Sequence, residues 1–113
     1  MIQVYFNDEG GVFLIDVSGH GELGNFEGLD VMCAATTTLT NTLAMNVLAY
    51  EEQGMLSEKP TVYVGDDGEG RARVKCVPKP EFYSVCSAGF RAVVMGYQML
   101  AAMYPDYIQY NTD

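Results

Sequence analysis

Residues 1–18, MIQVYFNDEGGVFLIDVS, decide how this chain folds. Ile2, Val4 and Phe6 alternate with Gln3, Tyr5 and Asn7. That period of two puts one set of side chains on each face of a β-strand. Asp8-Glu9-Gly10-Gly11 is a turn, and its glycines accept the positive φ angles that a tight hairpin needs. Residues 12–18 return as a second strand that ends at Gly19-His20. The chain thus opens with a hairpin whose apolar face needs a second layer to cover it.

The covering layer is helical. Ala35, Leu39, Leu43, Val47 and Tyr50 recur at spacings of three and four, which predicts a helix over residues 30–53. Asp30 is its expected N-cap and Gly54 its expected C′ residue. Thr36, Thr37, Thr38, Thr40 and Thr42 are poor helix formers, so tertiary packing must hold this helix. Residues 60–66 and 71–77 read as two further strands around an Asp/Glu/Gly turn, with Ala72, Val74 and Cys76 facing the core. A second helix is expected over residues 84–104, with Phe90, Val93, Val94, Tyr97, Leu100, Ala101 and Tyr104 as its core face. Arg91 is its only charge. That implies little contact with water, either under a sheet or in a subunit interface. Pro105 stops it, and residues 107–110 form a closing strand. The order ββαββαβ predicts an α+β fold in which antiparallel hairpins pack with two long helices, with residues 1–113 as a single domain.

Composition narrows the function. Hydrophobic residues make up 49% and charged residues 19%, a globular balance. Fifteen acidic side chains against six basic ones give a net charge of −9, the wrong sign for a direct nucleic-acid binder. An acidic surface either attracts a basic protein or serves solubility alone. Cys33, Cys76 and Cys86 are odd in number and form no CxxC pair, which fits reduced cytoplasmic thiols better than a disulfide framework. The N-terminus lacks a signal-peptide pattern. The weakly polar run 92–104 is too short for a membrane span.

The chemistry concentrates in GHGELGNFEGLDVMCAATTT, residues 19–38. It contains the only histidine, His20, and four glycines ahead of the helix: Gly19, Gly21, Gly24 and Gly28. Such a stretch is either an ordinary surface connection or a cover over a site, and the flanking His20 and Cys33 favour the cover. With Asp30 as N-cap, Cys33 falls at the third helical position, among free backbone N–H groups that favour a thiolate. Asp30 would then compete for the donors an oxyanion needs and bring negative charge close to the sulfur. Cys76 reads as core. Cys86, also near a helix start, competes with Cys33 for the role of nucleophile. Zinc held by His20 and the three cysteines would match no common ligand spacing. No serine-nucleophile elbow, P-loop or dinucleotide fingerprint is present. The acidic residues Asp66, Asp67 and Glu69 read as a solvated turn rather than a calcium loop. No metal or cofactor is expected.

Gly19-His20, then Gly28-Leu29-Asp30, Val31-Met32 and Cys33-Ala34, form a pattern that resembles the ribosomal-processing cysteine protease family, Prp. The likeness extends through the N-terminal hairpin, Gly54, Pro60 and the closing Tyr104-Pro105-Asp106-Tyr107-Ile108. It implies a Cys–His dyad with Cys33 as nucleophile and His20 as base, and a cytoplasmic homodimer. Its implied substrate is the N-terminal extension of large-subunit ribosomal protein twenty-seven, cut after paired phenylalanines, and the acidic surface suits such a basic partner. No membrane and no direct nucleic-acid contact are expected. Gly19, Gly21, Gly24, Gly28, Asp30 and Thr37 form the expected substrate-binding or lid set. Three departures bear on loop closure and substrate fit: Gly21 replaces the family's usual alanine, the loop before Gly28 is about one residue longer as aligned on the motif, and Thr37 stands where serine is common. The alternative reading is a non-catalytic protein-binding module of the same fold.

Overall fold

The computed structural model describes residues 1–19, 27–65 and 71–112. His20, Gly21, Gly24 and the 66–70 turn lie outside the described residues. The elements are β1 (Ile2–Asn7), β2 (Phe13–Ser18), α1 (Glu27–Glu52), β3 (Thr61–Val64), β4 (Ala72–Cys76), α2 (Tyr83–Met103) and β5 (Ile108–Thr112), with short 3-10 turns at Glu9–Gly11 and Pro80–Phe82. The expected ββαββαβ order is observed. The strands form one sheet in the order β3-β4-β2-β1-β5. All neighbours are antiparallel except β5, which pairs in parallel with β1.

The alternation read from the sequence sets the layers. Ile2, Val4, Phe6, Phe13, Ile15, Val17, Ala72, Val74 and Cys76 are buried on one face of the sheet. α1 packs over β3 and β4, α2 packs over β5, and the helices pack against each other. Gly10 and Gly11 have φ of 68° and 77°, as the hairpin turn required. α1 ends as its sequence implies. Gly54 takes φ of 72°, its N–H donates to the Glu51 carbonyl, and the Met55 N–H donates to the Tyr50 carbonyl. These two bonds make a Schellman stop.

Three expectations are corrected. α1 begins at Glu27, three residues before the expected start, so Asp30 lies inside the helix and is not its N-cap. The core stripe of α1 is Met32, Thr36, Thr40, Leu43, Ala44 and Val47, whereas Ala35 and Leu39 are only partly buried. Leu39 instead faces α2, where a Cβ on Gly96 would stand 2.7 Å from its Cδ2. α2 is not withdrawn from water: Val85, Met95, Met99 and Met103 are exposed on its outer face. Arg91 is exposed as well and pairs with Asp8 at 2.6 Å. Residues 80–103 are also long and apolar enough to cross a bilayer, unlike the 92–104 run taken alone. In this fold Cys86, Phe90, Val93, Val94, Tyr97 and Leu100 of that segment are buried in the core.

Candidate functional site

The first half of α1 places Cys33, Thr36, Thr37 and Thr40 at offsets of three, four and seven, which is one helical stripe. Beneath it runs a cross-strand row. Val64 pairs with Ala72, and Ala72 pairs with Val17. The stripe and the row, with Ile2, Gly19, Gly65 and Arg71, enclose a cavity of about 140 Å³. Its walls are mainly aliphatic and threonine side chains. Among the described residues, Arg71 is the charged residue of the lining, and Cys33 supplies its one thiol.

Gly19 could not be another residue without a local shift. Its φ is 87°, and a Cβ there would run into the Met1 carbonyl oxygen. The chain thus leaves β2 tightly against the start of β1, directly beside the cavity.

The threonines account for most of the site's polar chemistry. Thr38, Thr40 and Thr42 each donate to the carbonyl four residues back, at 2.7 to 2.8 Å. Because the Thr40 proton is used in this way, Tyr97 must donate in the 2.6 Å bond between their hydroxyls. Burial pushes the Tyr97 hydroxyl up to about 12, a shift partly offset by that bond. Thr36 breaks the pattern. Its residue is 4% exposed, and its Oγ1 has no hydrogen-bond partner among the described residues.

Among the expected site residues, the structure gathers Cys33, Thr37 and Gly19 at one cavity. His20, Gly21 and Gly24 lie outside the described residues. Gly28, expected in the mobile cover, belongs to the first turn of α1. The helix also changes the electrostatic argument for Cys33. It is the seventh helical residue, so its own N–H falls within the helix's hydrogen-bonded ladder. The first described turn of α1 is residues 27–30, nearer the N-terminus. Cys33 therefore is not in the first turn, and it stands in the cavity wall.

The other cysteines are excluded by burial. Cys33 is partly exposed, whereas Cys76 and Cys86 are 1% and 0% exposed. Burial, reinforced by Cys86, pushes the Cys76 thiol up to about 12, and burial also raises Cys86. Among the described residues, no three His, Cys, Asp or Glu side chains gather as metal ligands.

Sequence reasoning missed Thr36, Thr40, Val64, Gly65, Arg71 and Ala72 as cavity residues. The two threonines were detectable, since they share the helical stripe of Cys33. The strand residues were not, because only the register of three strands brings them beneath that stripe.

Residues 1–109 match the family described as cysteine protease Prp. Among solved structures, the chain is similar to SMU.848 from Streptococcus mutans, with 23% identity, 99% of this chain and 93% of that chain covered, and a TM-score of 0.73. It is equally similar to the essential ribosomal processing protease Prp from S. aureus in complex with a covalently linked product peptide, with 23% identity, full coverage of both chains and a TM-score of 0.73. The S. aureus enzyme in complex with a substrate peptide gives 20% identity, full coverage of both chains and a TM-score of 0.65. These structural likenesses bear on the fold. Among curated proteins no sequence match is found.

Proposed function

We propose that this chain, which belongs to the cysteine protease Prp family, is the endopeptidase that removes the N-terminal extension of large-subunit ribosomal protein twenty-seven. Cys33 is the nucleophile and His20 the base. The observation that carries this reading is the position of Cys33, a partly exposed thiol in the wall of a cavity, while the other two thiols are sealed in the core.

The chemistry runs in two stages. His20 takes the Cys33 proton, and the thiolate attacks the scissile carbonyl carbon. The C–N bond breaks, the imidazolium gives its proton to the leaving amine, and a thioester remains on Cys33. His20 then removes a proton from water, and the hydroxide attacks the thioester. The C–S bond breaks, which releases the new carboxyl terminus and restores the thiol. The glycine-rich connection with Gly21 and Gly24 is assigned the role of cover, and Thr37, with Cys33 in the cavity wall, that of a substrate contact. The net charge of −9 supports a basic partner. The protein works in the cytoplasm as a homodimer, and the exposed Met95, Met99 and Met103 of α2 support an apolar self-contact.

The test is incubation with a synthetic peptide of the extended ribosomal terminus, read by mass spectrometry. The wild-type protein is expected to cut it once, and Cys33→Ala to lose cutting while its circular dichroism is unchanged. Full cleavage by Cys33→Ala would remove the mechanism. An uncut peptide that nonetheless binds would favour the binding-module alternative. Light scattering on the same samples tests the dimer, and a mass of 12.4 kDa would refute it.

A further inference from the structure

β3 is a terminal strand, paired only with β4. The Gly65 N–H donates to the Arg71 carbonyl at 2.9 Å, so Gly65 and Arg71 form a hydrogen-bonded pair. Antiparallel ladders alternate hydrogen-bonded pairs with open ones. Tyr63–Arg73 and Thr61–Lys75 are therefore bonded pairs, while Val62 and Val64, opposite Val74 and Ala72, turn their N–H and C=O groups away from β4. Among the described residues, nothing pairs with that outer edge.

Natural sheets usually guard such an edge with charge, proline or a bulge. The strand Thr61–Val64, TVYV, is short and follows Lys59-Pro60, but within its four residues it carries no charge and no proline, and its pairing with β4 is continuous. The edge also has a direction. Its last residues, Val64 and Gly65, line the cavity that holds Cys33. An extended chain laid along β3 would pass the mouth of that cavity.

We infer that the substrate peptide binds as an added strand on the open edge of β3, held by the backbone groups of Val62 and Val64, so that its scissile carbonyl reaches Cys33. This inference rests on the peptidase reading above. Strand addition supplies affinity through main-chain bonds and leaves selectivity to alternate side chains, one of which enters the cavity. The occupant is an unfolded, extended segment, since a folded surface could not offer a free row of amides to the edge.

The period of two makes the inference testable. A series of extension peptides is prepared, each with a single backbone N-methyl group at the next position. Binding is measured on Cys33→Ala and cleavage on the wild type. Every second N-methyl is expected to weaken binding about tenfold, and the intervening ones to change it by less than about twofold. A second arm uses Val62→Pro, which deletes one outward N–H and leaves the β3–β4 ladder intact. KM should rise about tenfold with kcat unchanged. Loss without periodicity along the peptide, or an unchanged KM in a folded Val62→Pro, would overturn edge binding. If Val62→Pro does not fold, the methyl series decides alone. Wild-type cleavage of the parent peptide combined with an aperiodic series sinks the edge and spares the peptidase. Failure of the parent peptide to bind sinks both.

Discussion

The two ends of β4 are built from opposite materials. At its Cys76 end, Phe13 stacks on Phe90 at 5.2 Å and meets Tyr83 at 5.1 Å, with Phe6 6.4 Å from Phe90. The Cys76 and Cys86 thiols, both buried, interact beside that aromatic packing. At its Ala72 end, threonines, small aliphatic side chains and glycine leave a cavity, and the thiol there is partly exposed. Large rings pack the core at one end, and short side chains line the cavity at the other. The difference teaches that one sheet can carry dense ring packing at one end and a thiol-lined cavity at the other, so that an incompletely packed site does not unfold the molecule.

Thiol reactivity offers the sharpest way to break this contrast. With iodoacetamide near pH 8 under native conditions, Cys33 should be alkylated about a thousandfold faster than Cys76 or Cys86. Reaching a core thiol requires an opening that costs about 4 kcal/mol, and each 1.4 kcal/mol is about tenfold. Peptide mapping by mass spectrometry reads all three sites at once. Comparable rates would mean that the aromatic end opens as readily as the cavity end.

Alkali should attack the aromatic end. Burial, with Cys86 as a second cause, raises the Cys76 thiol from an ordinary value near 9 to about 12. A raised folded-state value means that the fold keeps the proton and the unfolded chain gives it up first. Stability is therefore intact below about pH 9 and falls as the pH climbs toward 12, by about 1.4 kcal/mol per pH unit for each such group. Tyr97, raised from 10 to about 12 by burial, adds to the loss from pH 10. Urea unfolding at pH 7, 9, 10 and 11 should show this slope, and Cys76→Ala should flatten it while lowering stability at pH 7. An unchanged slope in Cys76→Ala would place the sensitive group elsewhere.

Much of this contrast was legible in the chain itself. Alternation at Ile2, Val4 and Phe6, the paired glycines at 10 and 11 and the glycine at 54 each act through neighbours in sequence, and each appears in the structure where its pattern puts it. The start of α1 was misplaced because Asp30 makes a good cap in isolation, yet the helix continues to Glu27. Cys33 was legible as a candidate through its motif. Its cavity was not, since Val64, Ala72 and Val17 meet only across two strand pairings. The exposed methionines of α2 escaped notice because a scarcity of charge reads as burial, while methionine and alanine can also face outward.

The smallest effects test whether the cavity end truly tolerates imperfect packing. Thr40 and Thr36 lie one turn apart, both are buried, and both have an isosteric valine replacement. Thr40→Val removes the acceptor of the Tyr97 hydroxyl and strands it, so it should cost about 1–3 kcal/mol. Thr36→Val removes a hydroxyl that lacks a partner among the described residues, so it should raise stability by about 1 kcal/mol. Urea melts of the two variants give the comparison directly, and opposite signs are required. If both substitutions destabilise, the Thr36 hydroxyl is satisfied in solution, and the cavity end is as fully bonded as the aromatic one. Opposite signs would show that this end of α1 carries an unmet polar group at a stability cost, which a molecule tightly packed elsewhere can sustain.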